Sequence, residues 1–263
     1  TTANPIIAGF VISGSSPQNI LLRAVGPGLS SMGVTSVLAA PELQVYNSAG
    51  QVISDTNSWG GSSTLSAEFA RLGAFALAST SADAAVLLTL SPGPYTLHVN
   101  GTTDGTALAE IYDASATPAP VNPHLVNISA RGIVDAGHHV TGGFVITGST
   151  PKQMLVRGVG PGLAAQGVTS VLSDPTVTLY KIGTGAIALN DNWGTPVTSN
   201  AGYPAASPAQ ISAAATTTGA FAYVSGSLDS AILITLAPGL YTAEVTGTGG
   251  ATGAAMVEVY EVP

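Results

Sequence analysis

Only 8% of the 263 residues are charged, against about 25% in an average soluble domain, and none is cysteine, so disulfide frameworks and thiolate metal sites are excluded. Six cationic side chains against fourteen acidic ones, a net charge of −8, exclude the clustered Lys and Arg that nucleic acid or an anionic membrane surface requires. A mean hydropathy of +0.40 without an apolar run of about 18 residues excludes a spanning helix, and 6% aromatics without recurring Trp or Tyr girdles argue against a membrane barrel. Two ways of covering so apolar a surface then remain: attached sugar, or burial in an assembly.

The chain opens at Thr1 without a methionine or a basic, apolar leader, as expected of a mature product whose export signal has been removed or of a trimmed chain; the first is favoured and places the protein outside the cell or on its surface. From there the periodicity is that of strands. Phe10 and Ile12, Ile20 and Leu22, Leu43 and Val45, Val86, Leu88 and Leu90, and Tyr95, Leu97 and Val99 recur at a spacing of two between Gly, Pro, Ser and Asn. Gly26-Pro27-Gly28 ends the second run, and Pro92-Gly93 opens a hairpin into Tyr95-Thr96. Helix signals are confined to Leu65–Leu72 and the Ala-rich Pro208–Ala215, each predicted to give a turn or two.

The same text then returns. Gly9 through Trp59 aligns with Gly143 through Trp193 at a constant offset of 134, with 24 of 51 positions identical. Further on, Gly73-Ala74-Phe75 matches Gly219-Ala220-Phe221, Pro92-Gly93 matches Pro238-Gly239, and Glu110-Ile111-Tyr112 matches Glu258-Val259-Tyr260. The expected architecture is all-β: two tandem antiparallel β-sandwiches, Ig-like or jelly-roll-like, of about eight strands each. Residues 1–113 form repeat 1, a Pro-rich linker covers 114–123, and 124–263 form repeat 2. One asymmetry stands out. Leu125, Asn127, Ser129, Arg131 and Ile133 mark an alternating strand ahead of the second copy, whereas the first has only Thr1–Ala8 there. Repeat 1 is therefore expected to lack its first strand and to offer an open edge, with the segment from Leu125, or Thr1–Ile7, as candidate assembly strand.

Gly-Phe-Val-Ile-x-Gly, Leu-x-Arg-x-Val-Gly-Pro, Pro-Gly-x-Tyr-Thr and Glu-x-Tyr together resemble an uncharacterised β-rich repeat found in tandem in large secreted bacterial surface proteins. The resemblance implies export and a cell-surface location, and it carries no activity or catalytic residues. Its units often begin with a strand like Asn127–Gly132, which the first copy departs from.

Three charges recur in both copies: Arg23 with Arg157, Asp83 with Asp229, and Glu110 with Glu258. A carboxylate pair could do acid–base work on a sugar, but charges on apolar strands repeated in both domains read as internal pairs that pin strand register. Asp55 and Asn57, and Asp191 and Asn192, precede Trp59 and Trp193 and are calcium candidates without the spacing of a calcium loop; the tryptophans themselves could stack on sugar. Asn100 and Asn127 head glycosylation tripeptides. The Gly-rich turn at Gly158–Gly162 has no expected helix behind it to make a phosphate loop, and the histidines are not repeated between copies: His98 aligns with Glu244. No cofactor and no catalytic set is expected. The sequence thus favours a structural subunit of an extracellular filament, sheath or surface layer whose partner is itself, as a homopolymer. A secreted carbohydrate-binding or adhesion module, with surface glycans as partners, is the alternative, and an enzyme the remote third.

Overall fold

The computed structural model describes residues 5–115, 124–196 and 203–263. Most of the linker expected at 114–123 lies outside them. The chain divides into two units, Thr1–Val126 and Asn127–Pro263.

Unit 1 contains β1 (Ile6–Ile12), β2 (Gln18–Val25), β3 (Glu42–Tyr46), β4 (Val52–Thr56), α1 (Ser63–Leu72), β5 (Ala84–Leu90), β6 (Gly93–Asn100) and β7 (Leu108–Asp113). They form two antiparallel sheets, β1-β6-β3-β4 and β5-β2-β7. Into unit 2 run β8 (Leu125–Val134), β9 (Val140–Ile146), β10 (Lys152–Val159), β11 (Pro175–Lys181), β12 (Gly185–Asn190), α2 (Pro208–Thr218), β13 (Ser230–Leu236), β14 (Gly239–Gly247) and β15 (Gly253–Val262). Its sheets are β9-β14-β11-β12 and β13-β10-β15-β8, the order of unit 1 strand for strand with β8 added beside β15. The fold is all-β, two tandem antiparallel sandwiches.

A third layer explains the consecutive apolar residues Ile20, Leu21 and Leu22 of β2 and Met154, Leu155 and Val156 of β10. On one face of β10, Met154 and Val156 pack with Val177, Leu179, Tyr241 and Val245 from the opposing sheet. On the other, Leu155 packs with Trp193, Ile211, Ala214 and Ala215 beneath α2. Strand geometry sends alternate residues to opposite faces, so a strand covered on both sides is apolar at successive positions, here with the buried Arg23 and Arg157 as the charged exceptions. In unit 1, Leu21 and Val25 meet Trp59 and Phe69 of the α1 layer in the same way.

Both helices exceed the turn or two expected, at 10 and 11 residues, because each is capped at both ends and packed on its sheet. Ser62 accepts the Leu65 N–H, Ser207 and Gln210 form a capping box, and Gly73 and Gly219 close the helices at φ 73°. A second departure follows the Gly-Pro-Gly turns, where 3-10 helices span Pro27–Met32 and Pro161–Gln166. Glycine is required before them: a Cβ on Gly26 or Gly160 would lie 2.0 or 2.1 Å from the carbonyl oxygen of Leu38 or Leu172.

Candidate functional site

The repeated charges separate into two structures in each unit. Arg23 on β2 stands opposite Glu110 on β7, with Nε 3.0 Å from Oε2; Arg157 on β10 stands opposite Glu258 on β15 at 3.3 Å. Both arginines are fully buried. The approach is an ion-pair contact rather than an aligned N–H···O bond, and the guanidinium faces are covered by aromatic rings. Arg23 Cζ lies 4.4 Å from the Phe69 ring centre and 4.5 Å from that of Phe75; Arg157 Cζ lies 4.3 Å from Phe221 and 4.1 Å from Tyr223. Tyr112 and Tyr260 donate their hydroxyls to Glu110 and Glu258 at 2.6 and 2.7 Å. Burial pushes both glutamates above the ordinary carboxylate value, against the pull of the arginine and the tyrosine hydroxyl. Burial likewise raises Tyr112 and Tyr260, helped by the adjacent carboxylate. Sequence reasoning missed the ring clamps, although Phe75 and Phe221 sit in a repeated Gly-Ala-Phe, and it missed the Tyr–Glu bond, although Glu-x-Tyr places both side chains on one strand face.

Asp83 and Asp229 do different work. Asp83 accepts the N–H groups of Gly26 at 2.8 Å and Gly28 at 3.1 Å; Asp229 accepts those of Gly160 at 2.9 Å and Gly162 at 3.0 Å. Their own carbonyls accept the N–H of Trp59 at 2.9 Å and Trp193 at 2.8 Å. Each aspartate thus clamps the Gly-Pro-Gly turn to the tryptophan segment. Backbone amides that could cradle a phosphate already hold a carboxylate.

Sugar stacking on the tryptophans does not fit the structure, because both rings are buried. Trp59 packs 5.6 Å from Phe69 and donates Nε1–H to the Ala78 carbonyl and Ser81 Oγ, while Trp193 packs 5.6 Å from Tyr223 and donates to Ser227 Oγ. The calcium candidates hold protein partners: Asp55 accepts from Gln44, and Asp191 from Thr176, Thr248 and Asn192. Asn57 is exposed, and among the described residues no three acidic, His or Cys side chains gather as metal ligands. The adjacent histidines face separate carboxylates, His138 at 2.8 Å from Asp135 and His139 at 3.1 Å from Glu244. Asn100 is buried with its amide on Gln44, and the Asn127 amide bonds the Val259 carbonyl, so neither presents a free amide nitrogen for glycan attachment.

The remaining feature is a difference between the units. In unit 2, Asn127–Val134 of β8 pairs with β15: Tyr260 stands opposite Asn127, Glu258 opposite Ser129, Met256 opposite Arg131 and Ala254 opposite Ile133. Leu125 precedes this paired stretch. The segment expected to be donated in assembly is therefore already a built-in strand of unit 2, and Ile6 and Ile7 are paired in β1 with β6. In unit 1, β7 ends its sheet, and among the described residues no strand lies beyond it. The exposure follows: Val257 and Val259 of β15 are buried, whereas their counterparts Ala109 and Ile111 are only partly so and Leu108 is 38% exposed. Among the described residues, an open strand lane runs along β7.

No protein-family model matches the chain, and no curated protein matches it. Among solved structures, PBCV-1 VP54, fitted into a cryo-EM reconstruction of the virophage Sputnik, is 11% identical with a TM-score of 0.21, over 98% of this chain and 94% of that one. PNGF-II is 10% identical with a TM-score of 0.22, over 98% and 56%, and VP2 of the infectious bursal disease virus subviral particle is 9% identical with a TM-score of 0.21, over 99% and 68%. Likeness this slight carries no functional argument.

Proposed function

We propose that this chain is a structural subunit of an extracellular filament, sheath or surface layer that assembles with copies of itself. The observation that carries this reading is the open lane beside β7, at the place where the duplicate unit holds β8. An unpaired edge offers N–H and C=O groups to another strand. With only 8% of residues charged, few charged side chains stand on the surface to oppose contact between copies. The recurrent carboxylates support a non-enzymatic role, since Glu110 and Glu258 are committed to buried arginines and Asp83 and Asp229 to backbone amides. Negative-stain electron microscopy and sizing across a concentration series test the reading. Ordered fibres or sheets and a mass that rises with concentration are expected; a monomer at every concentration refutes it.

One observation favours the carbohydrate-binding alternative: an open groove in unit 1 lined by Tyr46, Asn47, Thr96 and His98, with the Tyr46 and His98 rings 4.4 Å apart. A glycan screen against the full chain tests it, with binding abolished by Tyr46→Ala.

A further inference from the structure

The duplication provides an internal control, because features present in only one unit stand apart from what the fold itself requires. Unit 1 has the open β7 edge. Unit 2 has an exposed apolar stripe reaching β9, an edge strand with no partner on its outer side among the described residues: Val145 on β9 is 59% exposed, Leu240 directly opposite it on β14 is 53% exposed, and Ile182, whose N–H bonds the Leu240 carbonyl at 3.0 Å, is 60% exposed. The corresponding residues of unit 1 are Val11, Pro94 and Ser48, which do not make such a stripe. Other edges are managed. The outer strands β4 and β12 carry register shifts against their partners, and β5 and β13 pack against the helices and against β4 and β12. β9 reads Val-Thr-Gly-Gly-Phe-Val-Ile, without a charge, proline or bulge to blunt it.

Resting on the structural reading above, we propose that the β9 edge of one copy pairs with the β7 edge of a second copy, covering Val145 and Leu240 in the contact. Such an interface joins unit 2 of one molecule to unit 1 of the next. It is heterologous, so each added copy still carries one free edge of each kind, and the contact propagates into a ring or a filament according to the rotation it imposes. The lane beside β7 accepts a strand because its duplicate does so: β15 is the same Glu-x-Tyr strand, and it holds β8 along eight paired positions from Asn127 to Val134.

The test uses Leu108→Lys on the acceptor edge and Val145→Lys on the donor edge, both at exposed side chains that leave the fold intact by circular dichroism. Each variant alone is expected to need at least about tenfold more protein to assemble, since the contact would bury an unpaired ammonium. Mixed in equal amounts, the two variants are expected to form one-to-one dimers and nothing longer, because each retains the edge that the other has lost. A parent that assembles while both variants assemble equally well overturns the interface and leaves the structural reading standing. Variants that are monomeric alone and also when mixed overturn the heterologous pairing. A parent that never assembles overturns both. Should a variant misfold, a synthetic Leu125–Val134 peptide serves instead: it is expected to cap the β7 lane and shorten the parent's assemblies, and unchanged lengths at saturating peptide count against the proposal.

Discussion

Arg23 and Glu110 face each other across the β2–β7 ladder, and Arg157 and Glu258 repeat the arrangement across β10–β15. In each unit this is the charged cross-strand pair on the helix side of the central strand, where ring faces replace water. Removing one partner leaves the other buried and unbalanced. Arg23→Met is therefore expected to cost about 3 to 5 kcal/mol of stability in chemical denaturation, and Arg23→Met with Glu110→Leu to recover most of that loss. An unchanged single-variant melt would remove the ion pair as a determinant of strand register.

Asp229 holds two glycine amides and the Ser227 hydroxyl with its carboxylate, and the Trp193 N–H with its carbonyl. Asparagine keeps the shape, but its NH2 group replaces Oδ2, which accepts the Ser227 hydroxyl at 2.8 Å and the Gly162 N–H at 3.1 Å, so an N–H donor is set against the turn amide. Asp229→Asn should cost about 1 to 3 kcal/mol, and Trp193 fluorescence should report unfolding at lower denaturant. A variant as stable as the parent would show that water replaces the carboxylate without penalty.

The buried glutamates also set a pH dependence. Their folded-state pKa values lie above the ordinary 4.5, with burial the leading cause. A carboxyl raised on folding contributes stability that is fully present below its unfolded pKa and is lost as pH rises through the folded value. From these two groups, resistance to denaturant should rise as pH falls from 7 toward 4.5. Other carboxylates superimpose their own trends, so the comparison that matters is with Glu258→Gln, which is expected to show a smaller gain over that interval. Identical pH profiles for parent and variant would contradict the raised value.

Much of this was legible in the chain because duplication exposes what a fold repeats. The alternation of two in Leu97 and Val99, the turn at Gly26-Pro27-Gly28 and the surplus strand at Leu125 all reflect local geometry that a sequence records directly. What was hidden depends on distant contacts. Nothing adjacent to Arg157 shows that Phe221 and Tyr223 will close over it, and nothing near Asp83 shows that its carboxylate will fill the amide cradle 57 residues earlier. The length of α2 is hidden for the same reason: its stability comes from capping and from packing of Ile211, Ala214 and Ala215 on Leu155, not from alanine content.

The open lane can also be closed by the chain itself. In unit 2 the order is β8, a short turn at 135–139, then β9, and Val140 of β9 corresponds to Ile6 of β1. A second copy of residues 125–139 fused directly ahead of Ile6, in place of residues 1–5, would therefore deliver a strand to β7 in the register that β8 uses on β15. Arg131 of the added strand would stand opposite Leu108, Ser129 opposite Glu110 and Asn127 opposite Tyr112, by analogy with Met256, Glu258 and Tyr260. With the strand supplied in cis, its effective concentration at the lane far exceeds that of any neighbouring molecule. The fused chain is expected to stay monomeric at concentrations where the parent assembles, and hydrogen exchange along Leu108–Asp113 should slow. Assembly undiminished in the fused chain, with Leu108–Asp113 protected, would mean that copies join elsewhere on the surface.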